Sequence, residues 1–251
     1  MNPTAAIILA AGKGTRMQTE KPKQFMDVGG KPMVIRSIEA FLPITDFMVV
    51  VTGDEDIPYL TELLLGNGFT AYGEGYLRDN VPVFITAGGK ERYDSSIEGL
   101  QVLKSIQEDC KIPPEVFDET VVLIHDAARC LITEKEIRDC IETVRQYGSG
   151  ITAVPCKDTI KTVQDGVIQN TPDRRSLYTV QTPQGFRYGK ILAAYQRAIT
   201  ENGLSFVTDD ASVLERFSEE AVHISPGSYE NLKITTGEDL ISAEQILKNR
   251  E

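Results

Sequence analysis

Short apolar runs alternate with amphipathic segments along the chain up to Pro155. "AAIILA" (Ala5–Ala10) is continuously apolar and ends at a glycine-containing loop, which is typical of a strand buried on both faces of a parallel sheet. Similar runs predict strands at Phe47–Thr52, Val81–Ala87, Thr120–Ala128 and Gly150–Pro155. Apolar residues at helical spacing predict helices at Lys31–Leu42, Tyr93–Ile106 and Thr133–Tyr147. This alternation predicts right-handed crossovers and a mainly parallel sheet, whose ligand crevice lies at the carboxyl ends of the strands.

The pattern changes after Pro155. Residues Lys157–Pro172 hold two β-branched runs around Asp165 and Gly166, a pair typical of the two-residue turn that closes a hairpin. A hairpin does not continue a doubly wound sheet, so we expect an arm that projects from it over about residues 155–175. The rest of the chain predicts helices at Tyr188–Glu201 and Asp209–Phe217, a strand in "AVHIS", and a last helix opened by a capping box from Thr236 to Asp239.

The sequence also supports an interpretation of two further segments and of one helix start. Gly73–Pro82 and Gln107–Glu119 read as loops longer than a minimal core needs, and the sequence assigns them no role. Pro32 is expected in the first turn of its helix, where proline is tolerated. The layout is therefore a single α/β domain over residues 1–251, with a mainly parallel twisted sheet and a projecting β-hairpin.

Composition narrows the class of protein. The 251 residues suffice for a substantial core, and their formal net charge of -11 argues against a general nucleic-acid binder, which needs a broad basic surface. No apolar run approaches the roughly 20 residues that span a bilayer. The N-terminus lacks the basic region of a signal peptide, so we expect a cytoplasmic protein. The four cysteines form no C-x-x-C pair, which disfavours a zinc site or a disulfide framework.

The loop after the first strand gathers positive charge in this acidic chain. Gly12 and Gly14 are expected to supply positive φ angles and close backbone approach to a ligand. Met17 stands where a dinucleotide fingerprint has its third glycine, and the loop is not a Walker sequence either. Its basic residues are Lys13, Arg16, Lys21 and Lys23. They suit a triphosphate, although a solvated lysine surface is the alternative interpretation.

Two further loops are predicted at the same edge of the sheet. "HDAAR" places Asp126 and Arg129 there, where the carboxylate could hold Mg²⁺ or a sugar hydroxyl and the guanidinium a phosphate. An Asp–Arg pair that caps the loop is the alternative, and His125 is expected to be structural. In "AGGKERYDSS", backbone groups at Gly88, Gly89 and Lys90 and the Ser95 hydroxyl could read a base edge.

Two later segments carry weaker signals. The adjacent carboxylates of "VTDDAS" could bind a metal, but a favourable helix start explains them better. "ENLKITT" places Lys233 just before the last helix. One lysine is no motif, yet together with the three loops it could converge on one crevice.

Read together, seven segments carry a family resemblance: "AAGKGTRM…KPKQF", "GGKERYDS", "HDAAR", "VPCKDTIK", "TPQGF", "TDDAS" and "NLKITT". In this order and spacing they resemble the 2-C-methyl-D-erythritol 4-phosphate cytidylyltransferase family of the non-mevalonate isoprenoid pathway. The resemblance implies a Rossmann-like nucleotidyltransferase fold and a reaction of CTP with a sugar-alcohol phosphate, assisted by Mg²⁺. The related ribitol-5-phosphate cytidylyltransferases share much of this set and usually diverge at "VPCKDTIK".

The resemblance also implies roles for individual residues. Arg16 and Lys23 match the pair that stabilises charge at the α-phosphate, and Lys233 matches the lysine that orients the acceptor phosphate. Lys157 matches a basic residue that the arm of a homodimer brings into the neighbouring subunit's site; many relatives have arginine there. The matching substrate-binding positions are Ala11, Gly12, Gly14, Gly89, Lys90, Ser95, Asp126, Arg129 and Thr235. Beyond CTP and the sugar-alcohol phosphate, the expected partner is a second copy of the chain, with neither nucleic acid nor membrane.

Three other functions stay open at this point. Ribitol phosphate could replace methylerythritol phosphate as the acceptor. A nucleotide-binding regulator without turnover is disfavoured by the joint presence of Arg16, Lys23, Lys157 and Lys233. A dinucleotide oxidoreductase is disfavoured by the missing third glycine.

Overall fold

All five apolar runs up to Pro155 form strands in the computed structural model, which describes residues 2–12 and 22–250. The strands are β1 (Thr4–Ala10), β2 (Asp27–Val28), β3 (Lys31–Pro32), β4 (Phe47–Thr52), β5 (Thr70–Tyr72), β6 (Gly75–Arg78), β7 (Val81–Ala87), β8 (Val121–Asp126), β9 (Ser149–Pro155), β10 (Thr162–Gln164), β11 (Val167–Asn170), β12 (Tyr178–Arg187) and β13 (Ile224–Pro226). The helices are α1 (Met33–Phe41), α2 (Ile57–Gly66), α3 (Arg92–Asp109), α4 (Pro114–Phe117), α5 (Glu134–Tyr147), α6 (Tyr188–Thr200), α7 (Asp210–Phe217) and α8 (Gly237–Arg250).

Within the described ranges, nine strands form one sheet in the order β13-β9-β12-β8-β1-β4-β7-β6-β5. The central strands β8, β1, β4 and β7 are parallel, whereas β12 runs antiparallel between β8 and β9. Since β1, β7 and β8 point the same way, the loops that follow them meet at one edge. This edge carries those predicted site residues of the three loops that fall in residues 2–12 and 22–250.

The continuous apolar character of β1 follows from its central position. Ala6 and Ile8 pack into one hydrophobic cluster with residues of α1, α2 and α5, while Ile7 and Leu9 pack on the other face with residues of α3, α6 and α7. Alternate side chains of a strand point to opposite faces, so a strand covered on both sides must be apolar at every position. The sequence pattern of "AAIILA" is thus explained by helices on both faces of the sheet.

Four sequence-based predictions of secondary structure were wrong or incomplete. Helix α1 begins at Met33, because Pro32 has an extended backbone, pairs with Asp27 in the β2–β3 hairpin and precedes the helix as its N-cap. Residues 73–82 are not a loop, since β6 and the start of β7 occupy most of them. Residues 107–119 contain the end of α3 and all of α4. The sequence interpretation also missed the elements α2, β5 and β12.

The predicted hairpin is present as a separate two-stranded sheet. Strands β10 and β11 pair antiparallel with each other, and the turn residues Asp165 and Gly166 have φ angles of 50° and 78°. Positive φ at both positions is what a type I′ turn requires. Every residue of both strands is exposed.

The sequence predicts no segment that crosses a membrane. Over residues 2–12 and 22–250, none of the helices combines the length and apolar character that crossing a bilayer would need.

Candidate active site

A cleft lies at the carboxyl ends of β1, β7 and β8. Its lining comprises residues 9–12, 23, 24, 89–92, 95, 126–128 and 233. The cleft therefore brings together most of the predicted site residues, namely Ala11, Gly12, Lys23, Gly89, Lys90, Ser95, Asp126 and Lys233. Gly14 and Arg16 fall outside the described residues, as do the neighbouring basic residues Lys13 and Lys21.

The first loop contributes Gly12 and Lys23. A Cβ atom added to Gly12 would lie 3.9 Å from Lys23 Cε, so the lysine stem passes beside this glycine. The expectation of a positive φ at Gly12 was wrong, because its backbone lies outside the left-handed region. Gly12 therefore leaves room beside the lysine and does not make a left-handed turn.

The loop after β7 approaches its neighbours closely at two glycines. A Cβ atom on Gly88 would lie 2.5 Å from Ser95 Oγ, and one on Gly89 would lie 2.2 Å from Asp94 Cβ. Any side chain at either position would push the loop away from the start of α3. A capping box between Glu91 and Asp94 closes that helix start, which faces the cleft with its positive macrodipole end. This end of α3 suits an anionic or hydrogen-bond-accepting ligand.

An ion-paired network extends from the cleft lining at Arg92, Asp126 and Lys233 into the core. Asp126 Oδ1 accepts a hydrogen bond from Arg92 Nε at 3.1 Å, and Asp126 Oδ2 accepts one from Lys233 Nζ at 2.6 Å. The Arg92 guanidinium also donates from Nη1 to Asp210 Oδ2 at 2.6 Å. Tyr195 Oη donates to the other oxygen of Asp210 at 2.7 Å.

The pKa values of this network follow from burial and from the paired charges. Burial alone would raise the pKa of Asp126, but the cations Arg92 and Lys233 offset it and lower the pKa well below its ordinary value. Burial alone would lower the pKa of Arg92, but Asp210 and Asp126 raise it. Burial and the charge of Asp210 raise the pKa of Tyr195 well above its ordinary value. The Asp126 carboxylate and the Arg92 guanidinium thus stay charged at neutral pH, while the tyrosine stays protonated.

His125 precedes Asp126 in β8 and is fully buried. Its Nδ1 lies 3.0 Å from Thr182 Oγ1, and its ring packs against Phe41 at a centroid distance of 4.9 Å. Burial lowers the pKa of His125 from 6.5 to about 3, so the ring is neutral at physiological pH. This agrees with the structural role expected from the sequence.

We expect His125 to make the fold sensitive to mild acid. Between pH 6.5 and 4.5 the unfolded chain binds a proton at this position that the folded chain does not, so the free energy of unfolding falls as the pH falls. The wild-type protein should lose about 2 kcal/mol more over this range than His125→Gln. Urea titrations at several pH values measure the difference.

His223→Gln is the matched control, because His223 is partly exposed, lies outside the hydrophobic core and stacks on Tyr147. It removes the other histidine without changing the buried position, so the two variants together separate the effect of His125 from that of losing a histidine. If the free energy of unfolding fell equally with pH in the wild type and in His125→Gln, the assignment of a buried neutral ring would be wrong.

Comparison with known proteins identifies the family. The family model described as 2-C-methyl-D-erythritol 4-phosphate cytidylyltransferase matches residues 4–249. The chain belongs to this family. Curated members with that name are 38% identical over 247 residues in Geotalea uraniireducens (97% of this chain and 96% of the relative) and 39% identical over 252 residues in Clostridium novyi (99% and 98%).

Solved structures agree with this cytidylyltransferase assignment. The crystal structure of 4-diphosphocytidyl-2C-methyl-D-erythritol synthase from Anaerococcus prevotii superimposes with a TM-score of 0.78 at 29% identity, covering 98% of this chain and 96% of that one. The Rossmann-like nucleotidyltransferase fold and the family resemblance predicted from the sequence are confirmed.

Three predicted site residues of this cytidylyltransferase lie outside the cleft lining among the described residues. The Arg129 guanidinium donates to the backbone carbonyls of Asn231 at 2.8 Å and Val180 at 3.3 Å. The Thr235 hydroxyl donates to Asp239 at 2.9 Å, at the start of α8. In this arrangement both side chains hold loops in place.

Lys157 is the third of these residues. It is exposed, and its Nζ lies 3.4 Å from the centroid of the Tyr229 ring, a cation–π contact. Tyr229 Oη in turn donates to the Pro155 carbonyl at 2.8 Å. Lys157 thus stands at the base of the hairpin and does not line the cleft of its own chain.

Sequence reasoning missed two charged residues of the cytidylyltransferase site, Arg92 and Asp210. The sequence did contain a signal for Arg92. Arg92 opens α3, where the helix macrodipole disfavours a cation, so an arginine there needs carboxylate partners. Asp210 was correctly read as part of a helix start, with Asp209 as the N-cap, but nothing local revealed that it pairs with Arg92.

Proposed function

We propose that this chain transfers CMP from CTP to 2-C-methyl-D-erythritol 4-phosphate, which gives CDP-methylerythritol and pyrophosphate in non-mevalonate isoprenoid biosynthesis. The observation that carries the proposal is the family match over residues 4–249, which includes every loop of the cleft. A cytoplasmic location is part of the proposal, because CTP is available there.

The charges of the cleft suit this reaction. An oxygen of the acceptor phosphate attacks the α-phosphorus of CTP, and the bond to the departing pyrophosphate breaks. Both reactants are anions, so their approach and the charge that develops at the α-phosphate require fixed cations. We assign the α-phosphate to Lys23 together with Arg16, and the acceptor phosphate to Lys233.

Mg²⁺ is proposed as the metal that accompanies CTP. No cluster of three His, Cys, Asp or Glu side chains suited to a metal occurs in the part of the chain that the structure describes. Nucleotide-bound Mg²⁺ needs only one or two carboxylates besides phosphate oxygens and water, and Asp126 lines the cleft. Its two oxygens keep lone pairs beyond those used by Arg92 and Lys233. The ion would neutralise charge on the triphosphate.

Pyrophosphate release tests the acceptor. The purified protein is incubated with CTP and either methylerythritol phosphate or ribitol phosphate. Release with the first acceptor alone is the expected result. Release only with ribitol phosphate would assign the chain to the related reaction, and release with neither would favour a nucleotide-binding regulator.

We predict a strong preference for CTP over ATP, GTP and UTP. The glycine turn at Gly88 and Gly89 packs tightly on the start of α3. We propose that its backbone groups read a pyrimidine edge and that the turn leaves little room for a purine. Initial rates with each nucleotide measure the preference. UTP is the most stringent competitor, because its base differs from cytosine only in the pattern of hydrogen-bond donors and acceptors. Comparable rates with UTP and CTP would refute this assignment.

We further propose that the protein is a homodimer held by the hairpin. Val163, Val167 and Ile168 are 58%, 62% and 60% exposed on β10 and β11. An isolated two-stranded hairpin is marginally stable in water, and exposed apolar side chains on it favour coverage by a partner. Sedimentation analysis of the wild type and of Val167→Asp tests this, because a charge at a covered position should shift the dimer toward monomer.

A further inference from the structure

A continuous series of contacts leads from the hydrophobic core to the cleft. It begins at Tyr195, passes through Asp210, Arg92 and Asp126, and ends at Lys233. Side-chain exposure is 0% at Asp210, 27% at Arg92, 12% at Asp126 and 39% at Lys233. Tyr195 and Asp210 are therefore held in the core, whereas Arg92, Asp126 and Lys233 line the cleft.

The inner part of this series fixes the orientation of one guanidinium. Arg92 presents a rigid planar fork, and its two carboxylate partners come from different elements, the loop end of β8 and the start of α7. Asp210 cannot turn freely, because each of its oxygens has a partner and its side chain is fully buried. Tyr195, on α6, completes this anchor.

The outer part restrains a flexible side chain. A lysine ammonium on a four-carbon stem samples many rotamers unless something holds it. Asp126 holds Lys233 through one oxygen and is itself held by Arg92 through the other. The ammonium keeps further N–H donors that can meet a phosphate in the cleft.

We infer that Tyr195 and Asp210 are positioning residues for CMP transfer, which act through Arg92 and Asp126 to fix Lys233 for the acceptor phosphate. The inference rests on the proposed role of Lys233 toward that acceptor. Neither residue lines the cleft, so their removal acts on the site through other residues, and this series of contacts connects them to Lys233.

The first test replaces the tyrosine alone. Tyr195→Phe removes one hydroxyl from a buried position and should raise KM for methylerythritol phosphate about fivefold, with KM for CTP changed less than twofold. Tyr188→Phe is the matched control. Tyr188 lies on the same helix, is similarly buried, and donates instead to the Leu100 carbonyl at 3.3 Å. It should leave both KM values unchanged.

A second pair of variants keeps the test informative if Tyr195→Phe fails to fold. Asp210→Asn keeps the size of the side chain and removes its charge, and we expect the same selective rise in KM for the acceptor. Asp209→Asn is its control, since asparagine is also a good N-cap. Thermal midpoints show which variants are folded. If the folded variants Tyr195→Phe and Asp210→Asn both leave KM for the acceptor unchanged, the inference is overturned.

A double-mutant cycle separates positioning from a merely structural role. Tyr195→Phe is combined with Lys233→Ala, and kcat/KM for the acceptor is measured for both single variants and the double variant. If Tyr195 acts through Lys233, it has no further effect once the lysine is absent. If the losses multiply, the inference alone is wrong. If Lys233→Ala itself leaves kcat/KM unchanged, the proposed role of Lys233 is wrong and the inference falls with it.

Discussion

Arg16→Ala and Lys23→Ala should each slow CMP transfer roughly a hundredfold to a thousandfold while weakening CTP binding far less. The reason is that these cations are proposed to meet charge that develops only in the transition state, where one lost contact typically costs about 3–4 kcal/mol. The position of Lys23 supports this, because it lines the cleft beside Gly12 and near the start of α3. Single-turnover rates and equilibrium CTP binding measure the two effects separately.

Lys104→Ala controls for the loss of a positive charge as such, because Lys104 is exposed on α3 and does not line the cleft. It should react at the wild-type rate. Each variant must keep its thermal midpoint to exclude unfolding. If folded Arg16→Ala and Lys23→Ala retained near-normal turnover and lost only CTP affinity, their catalytic role would be wrong.

The parts of the fold that could be predicted are those whose burial leaves a periodic pattern. Strand β1 is buried on both faces and reads as uninterrupted apolar sequence, so its position and bounds were nearly correct. Strand β12 was missed because it contains Pro183 and Gly185 and its exposed first residues mix polar with apolar side chains. Its place between β8 and β9 depends on pairing with distant segments, which no local pattern reveals.

The candidate site likewise has parts that could be predicted from the sequence and parts that could not. Loops at the ends of parallel strands meet by topology, so the cleft could be located from the order of strands and glycine-containing loops. Side-chain partners could not be located, because Asp126 pairs with residues 34 and 107 positions away in the sequence. Asp126 and Arg129 are only three residues apart, yet the arginine donates to the backbone of Asn231 and Val180 and Asp126 pairs with Arg92.

Mixing two inactive variants should restore activity if Lys157 acts in the partner subunit. Lys157 stands at the base of a hairpin that is separate from the main sheet, and it does not line the cleft of its own chain. Arg16→Ala and Lys157→Ala chains, each nearly inactive alone, are allowed to exchange subunits. Random exchange makes about half of the dimers mixed, and roughly a quarter of all sites should then be intact in composition.

The quarter follows from the geometry of a two-fold dimer. In a mixed dimer, the site on the Arg16→Ala chain lacks both residues, whereas the site on the Lys157→Ala chain has its own arginine and its partner's lysine. If Lys157 instead served its own chain, every site would still lack one residue and mixing would restore nothing. A mass tag on one chain reports exchange independently of activity. Complete exchange without recovered activity would therefore assign Lys157 to its own subunit or to no catalytic role.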